Sequence, residues 1–129
     1  MTTELTVLAL AGLLQVFQFV LMAVPVNLQV GTHKTGGPRD KPIEITGAPG
    51  RLKRAMENHF EGLILFTIAV VVVTLGEQST PYTETCAWVY LGARILYIPA
   101  YVVAISFLRS AVWAVGFGAT VAMIVAALI

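Results

Sequence analysis

The sequence predicts an all-α integral membrane protein, built as a bundle of four transmembrane helices. Hydrophobic residues make up 57% of its 129 residues and charged residues only 12%, a balance typical of membrane proteins rather than soluble domains. The mean hydropathy is +0.83. Four apolar stretches, with their flanks, each reach the roughly 20 helical residues needed to cross a bilayer core. Together they leave no room for a separate soluble domain.

The first predicted helix covers residues 5–29 and is expected to remain in the mature protein. It lacks a basic leader, and its apolar run is longer than the core of a signal peptide. Gln15, Gln18 and Met22 share one face, which predicts an interhelical hydrogen bond rather than ligand contact. Residues 31–50 follow as a loop, because five glycines and three prolines exclude a continuous helix. A lid over a site and a plain connector are both open interpretations of this loop.

The other three predicted helices cover residues 51–75, 84–107 and 110–129, and all four form one domain over residues 1–129. The second helix is expected to begin near Arg51, ahead of the apolar run that starts at Gly62, which makes it long enough to span. Pro99 should kink the third helix, because proline cannot donate to the carbonyl of Ile95. Small residues on the fourth helix predict close packing, so it is interpreted as scaffold. They are Gly116, Gly118, Ala119, Ala122, Ala126 and Ala127.

Basic residues are concentrated on one side of the predicted membrane. Six of them lie in or beside the first loop, namely Lys34, Arg39, Lys41, Arg51, Lys53 and Arg54. Arg109 lies between the third and fourth helices, whereas residues 76–85 carry Glu77 and Glu84 and no lysine or arginine. The positive-inside rule therefore predicts that the first and third loops are cytoplasmic and that both termini lie outside.

A polar stripe runs into the second helix. At helical spacing, Arg51, Arg54, Asn58 and Glu61 lie on one face. Ionisable groups are costly inside a membrane, so those found there are candidate functional residues. The mixture of cation, amide and carboxylate suits a small zwitterionic ligand better than an ion pathway.

A second stripe descends three turns of the third helix, deeper than an interfacial belt of tyrosines would extend. Its members are Tyr90, Arg94, Tyr97 and Tyr101. Arg94 requires an anion or a carboxylate partner at this depth. A ligand could supply that partner. Alternatively, ion pairs among Arg54, Glu61 and Arg94 could hold the bundle together without any ligand.

Several polar residues have purely structural interpretations. Arg51 and Lys53 are expected to reach anionic lipid headgroups at the membrane surface. Lys53 and Glu57 are four residues apart and should form an exposed helical pair. Ser110 is interpreted as the N-cap of the fourth helix, and Arg109 as either a loop anchor or a functional residue.

No metal site is predicted. His33 lies in the loop and His59 lies off the polar stripe of the second helix, so they form no cluster with the spacing of metal ligands. Cys86 is the only cysteine, which excludes an intramolecular disulfide, and it is interpreted as a small packing residue.

Three motifs occur in order along the chain. They are Arg51-x-x-Arg54-Ala55-x-x-Asn58-x-x-Glu61, Tyr90-Leu91-x-Ala93-Arg94-x-x-Tyr97-x-x-x-Tyr101 and Arg109-Ser110. Together with the chain length and the four predicted helices, this set resembles the MAPEG family, the membrane-associated proteins in eicosanoid and glutathione metabolism. The resemblance covers the whole chain and is of the kind seen in the microsomal glutathione transferases.

The resemblance implies a homotrimer, with glutathione as co-substrate bound between subunits near the cytoplasmic face. By motif position, Arg54, Asn58 and Glu61 would hold glutathione, and Arg109 would stabilise its thiolate. The remaining positions would complete the pocket from the adjacent subunit, and they are Arg94, Tyr97 and Tyr101. A bacterial inner membrane is the location that the short chain and the resemblance imply.

The functional groups of glutathione are of the kinds that these residue types bind. Arginine can clamp a carboxylate with two parallel hydrogen bonds, while Glu61 could receive the ammonium group. A guanidinium such as that of Arg109 favours the thiolate, which is the nucleophile. The acceptor would be an apolar electrophile or a lipid hydroperoxide arriving from the bilayer. Gly50 and Gly62 depart from the family pattern, and Gly62 suggests a roomier pocket wall, so no eicosanoid substrate is assigned.

Two other classes of function fit the size and hydropathy. A small four-helix multidrug transporter would be expected to carry a proton-coupling carboxylate deep in its first helix, where this chain has only Glu4 at the edge. A non-catalytic membrane scaffold would account for the small-residue face of the fourth helix. Proton-driven efflux would favour the transporter, and failure to bind glutathione would favour the scaffold.

Overall fold

A computed structural model of the chain describes residues 1–31, 46–103 and 105–129, except for the side chain of Ser106. This part contains four helices, α1 (Thr3–Val30), α2 (Gly47–Leu75), α3 (Pro81–Val102) and α4 (Ser106–Leu128). The all-α prediction is confirmed. Most of the predicted loop lies outside the described residues, including His33, Lys34, Arg39 and Lys41. The interpretation of this loop as a lid therefore stays a prediction.

Three of the four helices are long and apolar enough to cross a membrane, namely α1, α2 and the Phe107–Leu128 part of α4. The sequence predicted four such spans. The exception, α3, has 22 residues, which is sufficient length. Its apolar run is interrupted by Arg94 and by all four tyrosines of the chain. Composition alone therefore does not mark α3 as a span, although α2 carries more charged residues, because those of α2 lie near its start and leave a long apolar run.

Helix boundaries differ from the predicted ones where prolines lie. Helix α2 begins at Gly47 rather than Arg51, and Pro49 fits its first turn because amides there have no partner within the helix. Helix α3 begins at Pro81 rather than residue 84, behind a Thr80–Thr83 capping box. It ends at Val102 instead of continuing to 107, three residues after Pro99.

The early end of α3 moves the start of α4. Helix α4 begins at Ser106 rather than residue 110, and the preceding Ile105 provides no side-chain cap. The backbone amide of Arg109 donates to the carbonyl of Ile105 at 2.9 Å. Ser110 therefore lies inside the helix, and its interpretation as the N-cap is wrong.

The order of the helices brings three polar segments to one end of the bundle. Residues 76–80 join α2 to α3, so the two helices run in opposite directions. Consequently α2 begins, α3 ends and α4 begins at the same end, which we call the polar end. Helices α2 and α3 contact each other and both flanking helices, whereas α1 and α4 make no contact within the described ranges.

An apolar core fills the space between the helices away from the polar end. Phe66 of α2 is fully buried and its ring stacks on Tyr90 of α3, with ring centroids 3.9 Å apart. Gly116 of α4 lies against α3, where a Cβ atom would be 3.5 Å from the Cβ of Ala93. This contact agrees with the predicted packing role of the small residues in the last helix. Cys86 is buried in the same core.

Buried polar side chains fasten α1 to its neighbours. His59 of α2 is fully buried, and its Nδ1 lies 2.5 Å from the Oε1 of Gln15. The predicted interhelical hydrogen bond from the glutamine face of α1 is thus present. At the opposite end of the bundle, the hydroxyl of Thr83 donates to the buried carboxyl group of Glu4 at 3.1 Å.

Arg51 makes a hydrogen bond between two helices that the sequence did not indicate. Its Nε donates to the carbonyl oxygen of Val102, the last residue of α3, at 2.8 Å. Carbonyl groups in the last turn of a helix have no partner within the helix, and a cation there also interacts favourably with the helix dipole. Arg51 therefore ties the start of α2 to the end of α3. The expectation that it serves lipid headgroups needs this correction, because its Nε is already engaged.

Replacing Arg51 with methionine should lower the free energy of unfolding by about 1.5–3 kcal/mol, the usual net value of a hydrogen bond to a charged group. Lys53→Met is the matched control, because Lys53 makes only an exposed pair with Glu57, worth less than about 0.5 kcal/mol. Unfolding by denaturant in detergent micelles would measure both changes. Equal stability of the two variants would show that the Arg51 contact is energetically unimportant.

Candidate functional site

A cavity of about 620 Å³ opens at the polar end, which we call the outer cavity. Three helices contribute to its wall. The lining residues are Arg54, Glu57, Asn58 and Glu61 from α2, Tyr97 and Tyr101 from α3, and Arg109, Ser110, Trp113 and Ala114 from α4. Its volume lies within the range of small-molecule sites, roughly 300–1,000 Å³. Six of the seven residues singled out from the sequence line this cavity, all except Arg94.

Tyr101 connects two arginines at the mouth of the outer cavity. The Nε of Arg54 donates to the hydroxyl oxygen of Tyr101 at 3.1 Å. The guanidinium carbon of Arg109 lies 4.9 Å from the centre of the same ring, within the range of a cation–π contact. One tyrosine thus fixes a cation from α2 and a cation from α4 beside the same space.

Arg94 lies deeper and is almost completely buried, with 3% of its surface exposed. Its Nη2 donates to the Oδ1 of Asn58 at 3.0 Å, and its guanidinium carbon lies 4.5 Å from the ring centre of Tyr97. Asn58 therefore orients Arg94 through its amide oxygen, and Tyr97 covers one face of the guanidinium. The residues of the two predicted stripes are in direct contact.

Arg94 has no carboxylate partner among the described residues. Across those ranges the one ion pair is Lys53 with Glu57, the exposed pair that the sequence predicted. The alternative in which Arg54, Glu61 and Arg94 form ion pairs that hold the bundle is therefore not what this structure contains. A buried cation without a counter-ion is costly. The arrangement leaves Arg94 available to an anionic ligand.

A smaller cavity of about 180 Å³ lies further from the polar end, and we call it the inner cavity. Asn58, Glu61 and Trp113 line both cavities, so the two adjoin. The remaining wall of the inner cavity consists of Gly62, Leu65, Tyr90, Arg94, Phe117 and Thr120. The residues change from charged at the mouth to largely apolar inside.

The contacts between the two stripes are made within one chain. The family resemblance led us to expect Arg94, Tyr97 and Tyr101 at the site from an adjacent subunit. Within the single chain, Arg94 contacts Asn58 and Tyr101 contacts Arg54, and the contribution of these residues to a neighbouring subunit's site stays a prediction. The reason for the contacts within the chain is the short connection between α2 and α3, which sets the start of one helix beside the end of the other.

Some lining residues were not identified from the sequence. Trp113 lies one turn beyond Arg109 on α4, so the i, i+4 spacing from a candidate residue could have identified it. Ser110 was interpreted only as a cap, yet it lines the outer cavity. Thr120 gave no signal, because a single hydroxyl in an apolar helix is common and here it also bonds the carbonyl of Gly116.

No metal centre is indicated in the part of the chain that the structure describes, where no three histidine, cysteine or acidic side chains come together. The donors at the polar end are arginines, tyrosines and an amide. Such groups recognise carboxylates and other oxygen acceptors rather than metal ions.

Comparison with known proteins identifies a family. A family model described as the MAPEG family matches residues 6–129, which is essentially the whole chain. No curated protein and no solved structure matches the chain significantly. The matched range contains every residue of the two cavities.

Proposed function

The chain belongs to the MAPEG family, and from this we propose that it is a membrane glutathione transferase. Members of the family act in eicosanoid and glutathione metabolism, and not all of them are transferases. In the proposed reaction, glutathione binds in the outer cavity as its thiolate and attacks an apolar electrophile. The location in a membrane follows from the family and from the apolar helices.

The observation that carries this proposal is the set of cations around the two adjoining cavities. Arg94 is buried without an ion-pair partner among the described residues, and Arg54 and Arg109 lie at the mouth beside Tyr101. Glutathione brings two carboxylates, an ammonium group and a thiol. Arginines suit the carboxylates, and Glu61, which lines both cavities, suits the ammonium group.

Arg109 is the proposed activator of the thiol. A free thiol has a pKa near 8.5 and is mostly protonated at neutral pH. A guanidinium close to the sulfur lowers the pKa of the thiol, because it favours the anion. The ring of Tyr101 holds the Arg109 guanidinium from one side, so the cation is oriented before glutathione binds.

The proposed setting is a homotrimer in a bacterial inner membrane, with the polar end facing the cytoplasm. Glutathione is a cytoplasmic thiol in cells that make it, so this orientation would give it direct access to the outer cavity. The surplus of basic residues near this end agrees with the positive-inside rule.

A titration of glutathione into the purified protein in detergent micelles would test the proposal. We expect a saturable heat of binding together with an ultraviolet difference band of the thiolate at pH 7. S-Methylglutathione is the matched control and should bind without producing the band, since it has no ionisable thiol. Absence of both heat and band with glutathione would contradict the proposal.

The transporter alternative finds little support. Glu4, the only acidic residue of α1, lies at its N-terminal edge and accepts a hydrogen bond from Thr83. It lines neither of the cavities described above. A proton-coupling carboxylate would be expected to face a substrate site.

A further inference from the structure

Arg51 lies beside the candidate site without lining it. Its side chain is half-buried and belongs to the wall of neither cavity described above. Its Nε donates to the carbonyl oxygen of Val102 at 2.8 Å, which joins the second turn of α2 to the last residue of α3. The contact therefore ends one residue away from Tyr101, whose side chain does line the outer cavity.

Tyr101 is the residue that the two arginines at the mouth have in common. Its hydroxyl oxygen accepts a hydrogen bond from the Nε of Arg54 at 3.1 Å, and the guanidinium carbon of Arg109 lies 4.9 Å from its ring centre. The peptide unit between Tyr101 and Val102 is planar and stiff. A shift of Val102 would therefore carry the Tyr101 ring with it and disturb both arginine contacts.

The last turn of α3 benefits from a partner outside the helix. Pro99 lies in this turn and has no N–H to donate to the carbonyl of Ile95. Carbonyl groups at the end of a helix have no partner further along it, and that of Val102 accepts from Arg51 instead. The positive charge also interacts favourably with the negative end of the helix dipole. Arg51 thus fixes a helix end that proline leaves with fewer hydrogen bonds of its own.

We propose that Arg51 is a positioning residue for thiolate activation. By holding the end of α3, it keeps the Tyr101 ring in the place where that ring orients the guanidinium of Arg109 beside the outer cavity. This inference rests on the proposed function, in which Arg109 lowers the pKa of the bound thiol. Arg51 itself would not touch glutathione, so it acts through Tyr101.

The charged groups that face the bound thiol stay the same when Arg51 is replaced. The titratable and charged side chains that line the outer cavity come from three helices, and they are Arg54, Glu57, Glu61, Tyr97, Tyr101 and Arg109. Arg94 lines the adjoining inner cavity. A changed pKa of the thiol in an Arg51 variant could therefore come from the lost charge of Arg51 or from displacement of Arg109. Two variants of Arg51 separate these causes.

Arg51→Gln and Arg51→Met form a matched pair. The Nε of arginine and the Nε2 of glutamine both follow Cδ along the side chain, so Arg51→Gln keeps an N–H donor at the same place. Arg51→Met has a methyl group there and no donor. Both variants lack the charge of Arg51, and both new side chains favour helices about equally. A difference between the two variants therefore reports on the hydrogen bond to Val102 and not on the charge.

We expect this hydrogen bond to affect the pH at which bound glutathione ionises. A neighbouring cation lowers the pKa of an acid by about 1–3 units, and displacement of Arg109 would remove part of that effect. In a pH titration of the ultraviolet thiolate band, the midpoint should thus be about one pH unit higher in Arg51→Met than in Arg51→Gln. Lower stability alone would reduce the size of the band, because unfolded protein binds no glutathione, but it would not move the midpoint.

A measurement without glutathione tests the position of Tyr101 directly. Labelling with 3-fluorotyrosine gives each of the four tyrosines a fluorine NMR resonance, and Tyr101→Phe assigns that of Tyr101. Arg51→Met should shift the Tyr101 resonance from its wild-type position, whereas Arg51→Gln should not. Tyr82 is exposed and lies at the opposite end of the bundle, so its resonance should be unchanged in both variants.

The two measurements give distinguishable failures. A shifted Tyr101 resonance in Arg51→Met, with no thiolate band in the wild type, supports the positioning of Tyr101 by Arg51 and contradicts the transferase proposal. A normal wild-type band with equal midpoints in Arg51→Met and Arg51→Gln overturns the role of Arg51 and leaves the transferase proposal intact. A Tyr101 resonance that is unchanged in Arg51→Met overturns that role as well.

Discussion

Arg109→Ala is expected to reduce the rate of glutathione transfer by about 10²–10³-fold, the range seen when a preorganised electrostatic group is removed from an active site. Arg109 lies over the ring of Tyr101 and lines the outer cavity. Without the guanidinium of Arg109, the pKa of the thiol group of bound glutathione should rise toward the value of a free thiol, near 8.5. The ultraviolet thiolate band at pH 7 should therefore largely disappear, although glutathione still binds.

The loss of Arg109 should also change how the transfer rate depends on pH. In the wild type, a lowered thiol pKa keeps the thiolate present, so the rate should stay nearly constant from about pH 6.5 to the free thiol pKa near 8.5. In Arg109→Ala, the rate should rise about tenfold per pH unit up to that same pKa. Lys53→Met removes a positive charge from the same end, and it should keep the wild-type profile because Lys53 itself does not line the outer cavity and contacts only its exposed partner Glu57 there. A thiolate band unchanged in Arg109→Ala would remove Arg109 from its proposed role.

Arg94→Met is expected to weaken glutathione binding by about 30- to 150-fold, which corresponds to about 2–3 kcal/mol. The guanidinium is buried and its Nη2 is bonded to Asn58. Methionine would remove the buried charge and leave the amide oxygen of Asn58 without that donor. Isothermal titration with glutathione would measure the change. Arg94→Lys should recover only part of the affinity, because an ammonium group cannot reproduce the planar fork of donors.

Stability distinguishes a binding role of Arg94 from a structural one. A buried charge without an ion-pair partner does not stabilise a fold by itself, and replacing it with an apolar side chain can be neutral or stabilising. We therefore expect the free energy of unfolding of Arg94→Met to stay within about 1 kcal/mol of the wild type. A large loss of stability with unchanged glutathione affinity would show that Arg94 serves the bundle instead.

The sequence was sufficient for the helices and for the identity of the polar stripes. Hydropathy and helical spacing are local properties, so the spacing alone places Arg54, Asn58 and Glu61 on one face. The helix boundaries were predicted less accurately, because the effect of a proline on where a helix begins or ends depends on the residues around it. Pro99 was expected to kink the third helix, yet that helix ends at Val102, and Arg109 lies within the first turn of a helix that starts at Ser106.

The sequence could not reveal which groups would meet across helices. Arg51 was interpreted as a headgroup contact because its charge and position near the membrane surface fit that role. Its bond to the carbonyl of Val102 depends on where α3 ends relative to α2. The Tyr90 hydroxyl has no hydrogen-bond partner among the described residues, and the sequence could not reveal this either. A tyrosine in a helical sequence gives no indication of whether a polar group will face its hydroxyl.

The sequence by itself therefore determined an all-α membrane protein of this family, with two polar faces on consecutive helices. Only the tertiary structure decided that these faces meet within one chain, that Arg94 is buried without a counter-ion among the described residues, and that the space beyond it forms a second cavity. The physical reason is that spacing fixes the direction of a side chain around its own helix. The rotation and depth of each helix against its neighbours are set by packing, through contacts such as Phe66 on Tyr90 and Gly116 on Ala93.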